Sequence, residues 1–317
     1  PTLSQIQLLP QLPVDVRSPM LQGTGFLEQW LDWRKACPLH AQHARDKKLD
    51  GMAATTALPG DLEMADSEAS RLRRYNVVVG LLHLAQAIAM VVLSTDFTLP
   101  ATRTIPAGPP GTLPGQEIWF NLPLGPAVAA FLFLAALDHL LMASPGVNGW
   151  YNRMLVNERN YARWIEYSVS ASLMVVLIAM LTSVTDIGAL IAIAGVNASM
   201  ILFGLLQEAF VRPSRDRVNW MPYLFGCFAG AIPWIVIALH LGFAETSSSA
   251  GGPPTFVYGI IVSLFLLFNT FSINMVLQYR QVGRWRSYLY GERVYIIISL
   301  IAKSALAWQV FANVLVG

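Results

Sequence analysis

Seven long apolar segments dominate the pattern of hydrophobic and polar positions after residue 70. Two of them contain one charged residue each, Glu166 in 164–185 and Lys303 in 294–317. The other five contain no Asp, Glu, Lys or Arg, and they are 75–94, 118–137, 187–207, 218–244 and 253–279. Because a membrane-spanning helix needs about 20 mainly apolar residues, the pattern predicts an all-α membrane protein, a bundle of seven transmembrane helices.

Composition separates this bundle from the beginning of the chain. Of the 317 residues, 55% are hydrophobic and 13% are charged, against about 25% charged in an average soluble domain. Residues 1–66 differ, because they are polar, mixed in charge and interrupted by Pro and Gly. We interpret 1–66 as a polar N-terminal extension, disordered or foreign to the natural protein, and 67–317 as the seven-helix domain.

Basic residues lie almost entirely on one side of the predicted bundle. Nineteen of the 21 lysines and arginines precede the first segment or follow the second, fourth and sixth, whereas Arg103 lies on the other side. Because cytoplasmic loops are enriched in Lys and Arg, this asymmetry predicts a multi-pass protein of the cell (plasma) membrane, with a cytoplasmic N-terminus and an external C-terminus. The juxtamembrane arginines need no nucleic acid to explain them, and they suit contact with anionic membrane lipid or an acidic partner.

The links between the segments carry further information. The long link 96–117 contains five prolines and a Thr-rich start, which predicts extended structure with turns. The links on the same side at 186 and 245–252 are short, as expected for antiparallel neighbouring helices. The sequence has no Cys and His cluster with the spacing of metal ligands, so no metal site is predicted.

Lys303 has the clearest chemical meaning, because it lies in the middle of the last apolar segment. A lysine at mid-membrane depth costs at least about 2.5–3.5 kcal/mol on insertion scales, so such residues are usually functional. On the last of seven helices, this position suggests a Schiff base to retinal. Ser299 shares the same helix face, four residues earlier. Glu166, the only acid within the predicted segments, has a comparable depth and is predicted to pair with Lys303; a purely structural salt bridge is the alternative.

Other polar and aromatic residues in the segments allow two interpretations each. His83, Gln86 and His139 suit a proton relay or ordinary hydrogen bonds between helices. Trp234 and Phe268 suit the wall of an apolar slot for a polyene, or general packing of the bundle. Asn197 suits the tuning of a chromophore or the binding of one helix to another.

Two motifs carry a resemblance to a known family. The chain reads Ala-Arg-Trp-Ile-Glu-Tyr-Ser at 162–168 and Ser-Leu-Ile-Ala-Lys at 299–303. His139 in the second segment, the long link after the first and the cytoplasmic N-terminus belong to the same pattern. With these features the chain resembles the heliorhodopsins over about residues 70–317.

The resemblance implies a chromophore and its surroundings. Lys303 would carry all-trans retinal as a protonated Schiff base, with Glu166 as its counterion and Ser299 beside them. The resemblance also implies a homodimer to which the link 96–117 contributes, and a light sensor with a slow photocycle and generally no ion transport. A polar cytoplasmic cavity is implied as well, and its residues would be His83, Gln86, His139, Asn160 and Trp308.

The residues themselves argue against an outward proton pump similar to bacteriorhodopsin. Such pumps have an aspartate four residues before the lysine and a second carboxylate eleven residues after the first on helix three. This chain has Ser299 and Leu177 at those positions. We therefore predict a light-sensing retinal protein without enzymatic activity. In it, the Schiff-base proton moves to the local polar cavity and the slow photocycle signals to an unknown cytoplasmic partner without ion pumping. A light-gated proton channel or transporter is the alternative, followed by a chemically gated receptor and a purely structural membrane protein.

Overall fold

The computed structural model describes residues 64–214, 217–247 and 252–315. Within these ranges, seven helices are long and apolar enough to cross a membrane, which confirms the predicted seven-helix membrane fold. One shorter helix, α3, lies between the second and third of them. The helices are α1 (Asp66–Val92), α2 (Leu124–Ala143), α3 (Pro145–Val156), α4 (Tyr161–Leu181), α5 (Ile187–Phe210), α6 (Met221–Ser247), α7 (Thr255–Tyr279) and α8 (Tyr288–Val310).

Two parts of the sequence interpretation stay predictions. Residues 1–63 lie outside the described ranges, so the polar extension at 1–66 is not tested by the structure. The side of the membrane on which each terminus lies rests on the distribution of basic residues alone.

Three helices begin six or more residues from the start of their predicted segments, and α1 does so at Asp66, ahead of the segment 75–94. The segment 118–137 is only partly helical, because α2 begins at Leu124 and the residues before it form a strand. Ile118, Trp119 and Phe120 are apolar but favour extended structure, so hydropathy alone does not separate them from the helix. The last helix begins at Tyr288, six residues before the predicted segment, and therefore includes Glu292.

The long link between α1 and α2 forms a β-hairpin, as its extended pattern predicts. Strand β1 (Thr98–Ile105) pairs antiparallel with β2 (Gly115–Pro123), with a register shift between Ala101 and Thr102. The Thr102 N–H donates to the Thr185 carbonyl at 2.8 Å, which fixes the hairpin to the link between α4 and α5.

Helix α4 is the central element of the bundle. It packs against α2, α5, α6 and α7, while α8 packs against α7, α1 and α2. Met174, Val175, Leu177 and Ile178 of α4 are almost completely buried in the largest hydrophobic cluster. Side chains of α4 that face inward therefore meet side chains from most of the other helices.

Asp186 connects the hairpin to the first turn of α5. Its carboxylate accepts the Ala189 N–H at 3.0 Å, as a helix N-cap, and the Thr104 hydroxyl at 2.8 Å. These hydrogen bonds hold the pKa of Asp186 below its ordinary value, and the bond from the Ala189 N–H has the largest effect. A carboxyl whose pKa is lowered by folding stabilises the folded state above the unfolded pKa of about 3.9, and this contribution is lost as the pH falls through the folded pKa.

We expect Asp186→Ala to lower the thermal unfolding midpoint at neutral pH, because α5 loses its cap and the hairpin loses one anchor. The difference from the wild type should narrow below about pH 4, where protonation removes the same contribution from the wild type. Thermal unfolding followed by circular dichroism at both pH values measures this, with Asp96→Ala in the exposed link before β1 as the control. A difference that does not depend on pH would contradict the role of the carboxylate.

Candidate functional site

Lys303 and Glu166 form an ion pair between α8 and α4 in the interior of the bundle. The Lys303 Nζ lies 2.9 Å and 3.1 Å from the two carboxylate oxygens of Glu166, and both side chains are less than a tenth exposed. The amine also lies 3.2 Å from the Ser299 hydroxyl and 5.0 Å from the centre of the Tyr167 ring. The nitrogen of Lys303 is thus held from three sides by groups that stabilise a positive charge.

A cavity between α4, α5, α6, α7 and α8 has the Lys303 amine at its wall. It contains about 870 Å³ of empty space, a figure that includes the part open to the outside. Ser299 and Lys303 supply polar groups at the wall. Six aromatic side chains line it: Trp164, Tyr167, Tyr223, Phe268, Phe271 and Tyr295.

The chemistry of this cavity fits an aldehyde-bearing polyene. A primary amine condenses with an aldehyde to an imine, and Lys303 presents such an amine to the cavity. Glu166 balances a positive charge at that nitrogen, and the aromatic side chains suit a rigid apolar chain. Lys303, Glu166, Ser299 and Phe268 are therefore the sequence-predicted residues that the structure brings together.

Trp234 and Asn197 lie outside the lining of the cavity. The Trp234 ring packs edge-to-face on Phe268, with ring centres 5.7 Å apart, so it supports the wall from behind. Asn197 is buried and donates a hydrogen bond to the Ser172 hydroxyl at 3.1 Å, which connects α5 to α4.

The residues predicted for the polar cavity fall into three separate groups. His83 and His139 stack with their ring centres 5.8 Å apart, and His139 Nδ1 lies 2.8 Å from Asn76 Oδ1. The Gln86 amide oxygen instead accepts the indole N–H of Trp308, a side chain that is 41% exposed. Asn160, the third group, is the N-cap of α4 and hydrogen-bonds to Glu292.

His83 and His139 differ in their hydrogen bonding. His83 is completely buried, and both of its ring nitrogens lack a hydrogen-bond partner among the described residues. A buried imidazole with a free nitrogen is able to accept a proton.

A second buried charge cluster was missed by the sequence interpretation, which took Glu166 to be the only deep acid. Arg163 pairs with Glu208 at 2.7 Å and with Glu292, and these two carboxylates are 2% and 1% exposed. Arg163 lies directly before the predicted segment 164–185, and the two acids lie just beyond the predicted ends of their own segments. Apolar residues flank both acids, so the sequence allows one helix to continue past 207 and the other to begin before 294. This was the available indication that the two acids lie inside helices.

The neighbours of this cluster connect it to the cavity. The Trp164 indole and the Tyr288 hydroxyl donate to Glu208, and Asn160 donates to Glu292 at 2.8 Å. The Arg163 guanidinium lies 4.0 Å from the centre of the Tyr295 ring. We call Arg163, Glu208, Glu292, Asn160, Trp164 and Tyr288 the Arg163 cluster.

The fold and the site together define a retinal protein of the rhodopsin type. A solved structure, a light-driven proton pump LR (Mac) from Leptosphaeria maculans, is similar with a TM-score of 0.54 and 17% identity, covering 79% of this chain and 97% of that one. At this identity the similarity concerns the fold alone. The family model for Heliorhodopsin matches residues 72–315, and the chain therefore belongs to the heliorhodopsin family. A search of the curated proteins found no match. Membership of the family implies a retinal chromophore.

We expect Glu166→Gln to destabilise the retinal-free protein, because the buried Lys303 amine loses its ionic partner. Removing one partner of a buried ion pair typically costs about 3–5 kcal/mol. Glu166→Gln combined with Lys303→Met should recover most of the loss, since no unpaired charge remains. Denaturant unfolding of the purified protein measures this.

The matched control is Glu117→Gln, which breaks the Arg103–Glu117 ion pair of the hairpin, where both side chains are more than half exposed. Exposed pairs contribute only about 0–1 kcal/mol. Equal losses for Glu166→Gln and Glu117→Gln would show that the buried pair does not stabilise the bundle.

Proposed function

We propose that this heliorhodopsin is a light sensor whose retinal is carried by Lys303, with Glu166 as the counterion. The observation that carries the proposal is the contact of the Lys303 amine with the Glu166 carboxylate at the wall of an aromatic cavity. Bound to Lys303 as a protonated Schiff base, all-trans retinal supplies visible absorption and a double bond that isomerises in light.

Each polar neighbour of Lys303 has a distinct role in this proposal. Glu166 balances the positive charge at Nζ, and both of its oxygens are within hydrogen-bond distance. The Ser299 hydroxyl holds the nitrogen from one helical turn earlier. If the N–H of this nitrogen were turned away from Glu166, its contact with the carboxylate would be lost and its proton would need another acceptor.

We assign the acceptor to the polar group around His83 and His139. His83 supports this assignment because both of its ring nitrogens are buried without a hydrogen-bond partner among the described residues. The stacked His139 and its partner Asn76 extend the path away from the ion pair. Gln86 and Trp308, which are hydrogen-bonded to each other, are proposed to border the same region. Asn160 bonds to Glu292 and belongs to the Arg163 cluster instead.

The aromatic wall selects a rigid apolar ligand in this proposal. Phe268 contacts the ligand, and Trp234 holds Phe268 in place from behind. Asn197 keeps α5 at a fixed distance from α4 through Ser172. These residues would hold a rigid apolar ligand in a fixed orientation.

We further propose that the slow photocycle signals to the cytoplasm without ion pumping. A hydroxyl, Ser299, stands where outward pumps have an aspartate next to the lysine. Leu177, at the position of their second carboxylate, is completely buried in the largest hydrophobic cluster. A light-gated proton channel or transporter is the alternative, and it needs a continuous polar path past Leu177.

The proposed setting is the plasma membrane, with the N-terminus in the cytoplasm, and the proposed assembly is a homodimer. The distribution of basic residues supports this orientation. The hairpin supports the dimer, because Ile118, Trp119 and Phe120 of β2 are all exposed. Contiguous exposed apolar side chains of this kind favour contact with another protein surface.

We expect the purified protein to acquire a visible absorption band when all-trans retinal is added, and Lys303→Ala to lack it, because no amine remains to form the Schiff base. Glu166→Gln should keep a pigment with a shifted band, since a neutral amide no longer balances the charge. Absorbance spectroscopy measures both. A coloured Lys303→Ala protein would refute Lys303 as the residue that carries retinal. An unchanged spectrum of Glu166→Gln would refute Glu166 as the counterion.

We expect no photocurrent in voltage-clamped cells and no light-induced pH change in vesicles that contain the coloured protein. The absence of a second carboxylate at Leu177 leaves the proton within the region of His83 and His139. A sustained light-dependent current at a protein level that gives a clear visible band would favour the channel or transporter instead.

A further inference from the structure

We propose that the Arg163 cluster is the switch that couples the retinal cavity to the ends of α5 and α8 opposite the hairpin. The inference deepens the proposed light-sensing function and rests on it. It assigns to Arg163, Glu208 and Glu292 a positioning role for the light response, without contact to the chromophore.

The cluster touches the cavity through two aromatic side chains. Trp164 lines the cavity with its ring and donates its indole N–H to Glu208. Tyr295 also lines the cavity, and its ring lies against the Arg163 guanidinium. A ligand that changes shape in the cavity therefore pushes on groups that hold the charges of the cluster.

The Trp164 ring has almost no free space between itself and α5. A Cβ atom at Gly204 would overlap the ring of Trp164, so the ring rests directly on the α5 backbone. Glu208 lies one helical turn further along α5 and accepts the indole N–H of the same residue. Pressure on Trp164 is consequently transmitted to the last turns of α5.

Arg163 is shared between carboxylates from two different helices. Glu208 belongs to the end of α5 and Glu292 to the beginning of α8, and both are buried. The structure has the guanidinium bridging both carboxylates, Nη2 to Glu208 and Nη1 to Glu292. In the alternative arrangement that we propose, Arg163 keeps one carboxylate and releases the helix that carries the other. Because a released carboxylate would be a costly unpaired buried charge, the bridged arrangement is favoured until a change in the cavity acts on it.

This arrangement meets the physical requirement for coupling between two sites. Coupling needs an element with two arrangements that both sites bias. The shape of the ligand acts on Trp164 and Tyr295, and the pairing of Arg163 sets the separation of the ends of α5 and α8. Isomerisation thereby changes the surface formed by these helix ends. The predicted orientation places this surface in the cytoplasm, where a signalling partner would meet it.

The experiment measures the separation of these two helix ends in the full-length, retinal-loaded protein. Nitroxide labels are attached at Phe210→Cys, the exposed last residue of α5, and at Arg286→Cys, exposed just before α8. Cys37→Ser and Cys227→Ser form the common background. Electron paramagnetic resonance compares the label distance in the dark and after illumination.

We expect illumination to change the label distance in this background. Glu208→Gln and Glu292→Gln should keep the visible band in the dark but reduce the change at least about twofold, because each removes one of the two pairings. Trp164→Phe removes the indole N–H without removing a charge, and it should reduce the change as well. Trp164→Phe therefore tests the inference even if Glu208→Gln and Glu292→Gln do not fold. Glu117→Gln, the matched variant in the exposed hairpin ion pair, should retain the full change.

Two results would overturn the inference while the proposed function stands. One is a visible band with no light-induced change of the label distance. The other is a full change in both Glu208→Gln and Trp164→Phe. If the wild type acquires no visible band with all-trans retinal, the proposed function fails and the inference fails with it.

Discussion

The buried ion pair between Lys303 and Glu166 is the interaction on which the rest of the site depends. A charge in apolar surroundings has to be compensated nearby, since water is not available to solvate it. This requirement fixes the facing sides of α8 and α4, and it brings an amine to the wall of the aromatic cavity. The same carboxylate that stabilises the amine is suited to stabilise a positively charged imine at the same nitrogen.

The same physical constraint operates a second time at the end of the bundle opposite the hairpin. Arg163 precedes Glu166 by three residues, so both project from neighbouring positions on α4. Arg163 meets Glu208 and Glu292, while Glu166 meets Lys303. Helix α4 thus connects the two sets of charges, and Trp164 between them reaches the cavity. Local chemistry at the lysine and the arrangement of the helix ends are linked through one central helix.

The sequence predicted the existence of the seven helices well and their ends less well. Hydropathy counts apolar residues, so it merged Ile118 and its neighbours in strand β2 with helix α2. Hydropathy also ended segments at charged residues. Glu208 and Glu292 nevertheless lie inside helices, because Arg163 compensates their charges. A charge that has a partner within the fold does not terminate a buried helix, and the partner is not visible along the chain.

The sequence by itself determined the membrane class, the number of spans and the pairing of Lys303 with Glu166, because a lysine and an acid at similar depth in apolar segments leave few alternatives. It also indicated the family through the motifs around these two residues. Only the tertiary structure decided which residues line the cavity, that Trp234 and Asn197 lie behind it, and that Asn160 joins Arg163 rather than His83. The physical reason is that hydropathy reports depth along each helix, whereas contacts between helices depend on their rotation and tilt, which packing of the whole bundle sets.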